Sequence, residues 1–248
     1  EIDPRDVLVG ERIAIGGFAE VFIGRYQGTL VAIKLLTAVD ELGQERFRRE
    51  VQMLESVRHP NIVLFMGWCS QPHLAIVAEF MHRGSLFKLL RRGGDRPLDP
   101  RMQRSVAVSV ARGMSYLHTR SPPLMHLDLK SPNILLDDRW RVKIADFGLS
   151  RVRSHTFVSG TGAGTPGMAP RVLAQQGLDE RRKVLVLWET LTGQQPWEGM
   201  HPMQVVGAVG FQGRQLPPPP QNDPFLADLC RRCLVHDPRH RPFFPQIV

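Results

Sequence analysis

Apolar residues in the first third of the chain recur in short alternating runs separated by turn residues. Val7 to Ile15, Val21 to Tyr26 and Leu30 to Leu36 each show the period-two pattern of a half-buried strand, and their close succession predicts an antiparallel sheet. Between Asp40 and Val57 the period changes: Phe47, Val51 and Leu54 fall on one helical face and charged residues occupy the rest, with His59-Pro60-Asn61 ending the helix. Two more strand-like runs follow, Ile62 to Met66 and Leu74 to Phe80, then a turn at Gly84. From there helical spacing takes over, first from Ser85 to Leu90 and then from Met102 to His118. A strand-rich first part therefore precedes a helix-rich second part, and the tetraproline Pro217 to Pro220 reads as a surface connector.

Composition narrows the class without naming a chemistry. A chain of 248 residues, 42% of them hydrophobic, can bury a sizeable core, which excludes disordered and collagen-like classes. The formal charge of +8 is spread over scattered basic residues and short pairs such as Arg91-Arg92 and Arg181-Arg182, the pattern of a solvated surface, so no nucleic-acid partner is expected. Cys69, Cys230 and Cys233 cannot all pair, and Cys230/Cys233 has no second pair of ligands at zinc spacing, which favours a reducing, cytoplasmic setting. No apolar run approaches the ~20 residues that cross a bilayer, so no membrane segment is expected. A start at Glu1 rather than Met and a stop in mid-pattern at Val248 suggest a piece of a longer protein.

Five short motifs then occur in a fixed order. Val31-Ala32-Ile33-Lys34 lies on the third predicted strand, and Glu50 on the helix after it. His126-Leu127-Asp128-Leu129-Lys130-Ser131-Pro132-Asn133, Asp146-Phe147-Gly148 and Ala169-Pro170-Arg171 follow. Each has an ordinary reading alone: a strand-edge lysine, a solvated helix glutamate, an aspartate that forms a turn. Their order on the appropriate elements is what carries the signal. Gly162, Gly164 and Gly167 match a dinucleotide-binding G-x-G-x-x-G spacing, but they follow no strand and open no helix.

With these motifs the chain resembles eukaryotic protein kinase domains, over essentially its whole length. Arg58 to Gly67 and Asp128-Leu129-Lys130-Ser131-Pro132-Asn133 are similar to the Raf-like mitogen-activated protein kinase kinase kinases of the tyrosine-kinase-like group. The resemblance implies an α+β, two-lobed fold: a five-stranded antiparallel sheet plus one helix over about 1–80, and a mainly helical lobe over 81–248, incomplete at its C-terminus. It also implies ATP and Mg2+ as cofactors, transfer of phosphate to serine or threonine hydroxyls of protein substrates, and upstream or downstream kinases as further partners.

Residue roles follow from the same resemblance. Lys34 would contact the phosphates and be held by Glu50, Asp146 and Asn133 would coordinate magnesium, and Asp128 would accept the substrate proton with Lys130 beside the γ-phosphate. Nucleotide-binding positions would be Ile15, Gly16, Gly17, Val21, Ala32, Lys34, Ala78, Glu79, Met81 and Leu135, with Ala78 the small residue gating the space behind adenine. Leu54, Phe65, His126 and Phe147 would form a packed column between the lobes. Gly162 to Gly167 become part of an activation segment in which Ser154, Thr156, Ser159 and Thr161 are candidate phosphorylation sites and Thr165 supports the loop.

Several positions depart from the family pattern. Ala14 and Ala19 stand at the first and third positions of the glycine-rich loop, and Leu127 replaces the usual arginine before Asp128. Arg171 stands where a glutamate normally pairs with the equivalent of Arg241. The segment Glu180 to Glu189 lacks about four residues, including an aspartate and a glycine of a central helix. These departures motivate the alternative of a pseudokinase acting as a nucleotide-binding or scaffold module.

Overall fold

The structure, a computed structural model, describes residues 1–16, 19–37, 40–94, 97–147, 151–152, 178–235 and 240–247, with the side chains of 42, 151–152, 178–183 and 202 outside that description. Three strands, β1 (Val7–Ile15), β2 (Ala19–Tyr26) and β3 (Thr29–Leu36), lead into helix α1 (Glu41–Ser56), and β4 (Phe65–Cys69) and β5 (Ala75–Glu79) complete an antiparallel sheet in the order β1-β2-β3-β5-β4. Asp40 caps α1 by accepting the amide of Gly43, and the helix ends at Ser56, before the His-Pro-Asn segment. The expected five-stranded sheet with one helix is therefore the fold of the first lobe.

One strand lies later than the hydrophobic pattern predicts. Ile62 to Met66 is apolar throughout, but β4 begins only at Phe65. The preceding residues are held elsewhere: Asn61 donates its side-chain amide to Val142 O and accepts the amide of Ile144, and Ile62 forms a single parallel bridge with Ile144. Pairing with the second lobe thus takes up the backbone that the sequence pattern assigns to the sheet.

The second lobe opens with β6 (Gly84–Ser85) and α2 (Leu86–Arg92), followed by α3 (Pro100–His118). Gly84, at φ +72°, makes the turn a side chain would strain. The small strands β7 (Leu124–Met125), β8 (Ile134–Leu136), β9 (Val142–Ile144) and β10 (Arg151–Val152) come next, β8 pairing with both β6 and β9. Helices α4 (Leu178–Thr192), α5 (Pro202–Gly210) and α6 (Pro224–Leu234) complete the lobe. Gly113 lets α3 lie against this platform, since a Cβ there would stand 2.8 Å from Ile144 Cδ1 and 3.0 Å from Asn61 O.

The main core runs through both lobes, joining Phe47, Val51, Leu54, Phe65 and Ile76 to Leu86, Met114, Leu129, Ile144 and Phe147. The tetraproline runs as irregular chain, with Pro217 O accepting from the Trp188 indole. Cys230 and Cys233 are buried in α6, where burial first, with Cys233 adding to it, pushes the Cys230 thiol up to about 12, so the pair packs rather than reacts.

Candidate active site

Sheet register brings the expected nucleotide-binding residues to one face. Val21 lies opposite Lys34, which lies opposite Ile76, and Ala32 lies opposite Ala78, so Val21, Ala32, Lys34 and Ala78 point the same way while Val31, Ile33 and Val77 pack into the other side. Ile15 stands exposed at the end of β1, and Gly16 donates its amide to Ala19 O to close the hairpin. Met81 is buried at the connection between lobes and accepts the amide of Gly84. Leu135 alternates on β8 with buried Ile134 and Leu136 and so faces away from the core.

Two polar clusters lie beyond this face. In the first, Lys34 Nζ donates to Glu50 Oε1 at 2.7 Å and to Asp146 Oδ1 at 3.2 Å, linking the sheet, α1 and the loop after β9. Burial pulls the lysine pKa down, but the two carboxylates outweigh it and hold the ammonium above its ordinary value. Lys34 is therefore a fixed cation. In the second, Asn133 Nδ2 donates to Asp128 O at 2.9 Å and to Oδ2 at 3.0 Å, while Lys130 Nζ lies 2.8 Å from the same Oδ2. Ala145 donates its amide to Asn133 O at 2.8 Å, tying the loop from Asp128 to Asn133 to the strand end that carries Asp146.

His126 anchors both clusters without facing solvent. Its Nε2 donates to Ala145 O at 3.0 Å and its Nδ1 accepts the Asp128 amide at 3.2 Å, an arrangement that requires the neutral Nε2–H tautomer. It meets Phe147 edge-on at 4.9 Å, and Leu54, Phe65 and Phe147 share the main core, as expected of the column. Leu127 and Asp146 both adopt left-handed backbone, φ +59° and +65°, which L residues take up at a cost and which is concentrated at functional sites.

Glu79 behaves differently from the other expected nucleotide-binding residues. Its Oε1 accepts from Lys143 Nζ at 2.5 Å and from the Leu64 amide at 2.6 Å, so its side chain braces β9 and the segment before β4. Lys143 escaped the sequence reading, although its place between buried Val142 and Ile144 marks it as pointing off the core.

Gly17, Gly148, Ser154, Thr156, Ser159, Thr161, Gly162, Gly164, Thr165, Gly167 and Ala169-Pro170-Arg171 lie outside the described residues, and with them the expected contact between Arg171 and Arg241. Arg241 Nε donates to Val235 O at 2.8 Å. Among the described residues no group of three or more His, Cys, Asp or Glu side chains is placed to hold a metal ion, and no helix is long and apolar enough to cross a membrane.

A sheet face over an ion-paired lysine, with an Asp-Lys-Asn loop beneath, is the arrangement of a phosphoryl-transfer site. A model of the protein tyrosine and serine/threonine kinase family matches residues 7–248, and the chain belongs to that family. It is 48% identical to the probable serine/threonine-protein kinase SIS8 of Arabidopsis thaliana across 100% of this chain and 25% of that protein. Identity is 44% to the Arabidopsis serine/threonine-protein kinase CTR1, over 98% of this chain and 31% of the relative. It is again 44% to the probable serine/threonine-protein kinase drkD of Dictyostelium discoideum, over 100% of this chain and 20% of the relative. The chain thus spans a third or less of each of these three proteins, and the Raf-like resemblance of its motifs is in keeping with them.

Proposed function

We propose that this chain is a protein serine/threonine kinase domain that transfers the γ-phosphoryl group of ATP to protein hydroxyls with magnesium. The observation that carries the reading is the Glu50–Lys34–Asp146 chain at 2.7 and 3.2 Å, joined through Ala145 and Asn133 to Asp128. A cation held by two carboxylates suits phosphate oxygens, and a buried aspartate beside Lys130 suits a substrate hydroxyl. Asp128 would orient that hydroxyl and take its proton, with Asn133 fixing the carboxylate. Lys130, on the same oxygen, would neutralise charge during transfer.

The donor set fits a hard divalent cation. Asn133 spends its amide nitrogen on Asp128, which leaves its carbonyl as an oxygen ligand, and Asp146 is 44% exposed at its side chain. Asn133 and Asp146 would hold magnesium there, which would supply positive charge to offset that of the phosphates. Protein substrates, upstream and downstream kinases and a cytoplasmic setting of the full-length protein belong to the same proposal, and the relatives, which are serine/threonine-protein kinases, support its substrate class.

The test is phosphate incorporation into a generic serine/threonine protein substrate from labelled ATP with magnesium, comparing the parent with Asp128→Asn and Asp146→Asn. Incorporation by the parent and its loss in both variants is the expected result. A parent no more active than either variant, while still binding ATP, would replace the kinase reading with a scaffold role.

A further inference from the structure

The strand end that carries Asp146 is joined to the sheet by a ring of contacts outside both polar clusters. Glu79, the last residue of β5, donates its amide to Leu64 O at 3.0 Å and takes the Leu64 amide on its carboxylate at 2.6 Å. The segment 61–64 is held on its other side by β9: Asn61 O accepts the Ile144 amide and Val63 donates to Ile144 O, each at 2.9 Å. Lys143 closes the ring. Its Nζ reaches Glu79 Oε1 at 2.5 Å, and its side chain is only 11% exposed. It stands opposite Leu135 of β8, so it points to the side on which Leu135 would meet adenine, and it lies three residues before Asp146.

We propose that Lys143 is a positioning residue that seats β9, and with it Asp146, against β5 through Glu79, so that adenine binding at β5 and cation binding at Asp146 strengthen each other. The proposal rests on the kinase reading. Desolvation offsets much of the attraction in a pair this deep, so the pair adds little to stability and serves to fix a spacing. Asp146 follows the end of β9 with φ +65°, and the direction of its carboxylate depends on how that end is seated. An adenine contact on β5 and a metal ligand after β9 thus belong to one ring, and by linkage a ligand that steadies either part favours binding at the other.

Adenosine, which carries no phosphate, and magnesium separate the two ends. In metal-free amide hydrogen exchange, adenosine should slow Ile144 and Ala145, whose amides bond Asn61 O and Asn133 O, in the parent. It should not slow them in Lys143→Met, although the variant still binds adenosine within about threefold of the parent. In calorimetric titrations with ATP, the gain in affinity that magnesium confers should fall about tenfold in Lys143→Met. Glu79→Gln, which can still accept the Leu64 amide, should lose part of that gain, and the double variant should be no worse than Lys143→Met alone. If Lys143→Met fails to fold, Glu79→Gln carries the test. A variant that weakens adenosine and ATP alike while the magnesium gain is unchanged overturns the proposal, as do additive losses in the double variant. A parent that does not bind adenosine, or binds it without slowing Ile144 and Ala145, overturns it too. A parent that incorporates no phosphate, yet whose adenosine effect disappears in Lys143→Met, sinks the kinase reading and leaves the tie standing.

Discussion

Ala78 lies opposite Ala32 on the sheet face that also carries Lys34, and on its other side pairs with Phe65, a residue of the main core. Two facing methyl groups leave that part of the face shallow. Ala78→Met would add a flexible apolar side chain beside Lys34, and a bulky inhibitor that reaches behind adenine should lose at least tenfold affinity, about 1.4 kcal/mol. Calorimetric titration of parent and variant with one such inhibitor checks this; equal affinities would remove the gate assignment. At this scale the sequence was informative where motif order fixed a residue's partners. Lys34, Glu50, Asp128, Asn133 and Asp146, all picked out by the motifs, stand in the two polar clusters. It was silent where a partner is set by folding alone, as with Lys143 and Glu79, 64 positions apart.

The α1 boundaries were legible from Asp40 and the His-Pro-Asn stop, whereas α3 starts two residues before the expected Met102 and the boundaries of α6 were not marked out in the sequence reading. Asp40, Asp99 and Asp223 each accept amides at the start of a helix, and Pro100 and Pro224 occupy first-turn positions where a missing N–H costs nothing. The β4 boundary was not legible, because Ile62 and Phe65 are equally buried while only the second belongs to the sheet. Asp223 also illustrates how an element's end is coupled to its neighbour: its carboxylate takes the Leu226 amide at 3.2 Å and Arg104 Nε of α3 at 2.5 Å. The Arg104 side chain is 65% exposed, so the pair itself is screened and worth little. Asp223→Ala should therefore cost about 1–2 kcal/mol, mostly through the cap, whereas Arg104→Ala should cost clearly less. Urea unfolding of the two variants decides it, and equal losses would mean that the ion pair, rather than the cap, secures α6.

Over the whole molecule, buried and capping carboxylates set opposing slopes of stability against pH. Glu189 has an ordinary value of 4.5 and is pushed by burial to about 7, so between these values the folded chain keeps a proton that the unfolded chain has released. Its contribution is fully present below pH 4.5 and is lost as pH rises through 7, a change of about 3 kcal/mol. Asp223 and Asp137 act in the other direction. The Arg104 hydrogen bond holds Asp223 below 3.8, and at Asp137 the amide and guanidinium of Arg141 overcome the upward push of burial. Both contribute above 3.8 and lose that contribution as pH falls through their lowered values. The parent should then be most stable at about pH 4 to 4.5 and weaken on both sides. Glu189→Gln removes only the alkaline arm: by thermal and urea unfolding, the variant should exceed the parent by up to about 3 kcal/mol at pH 8, with the gap closing below pH 4.5. A gap that does not change with pH would show that Glu189 ionises in the folded chain at its ordinary value, so that burial does not hold a proton on it.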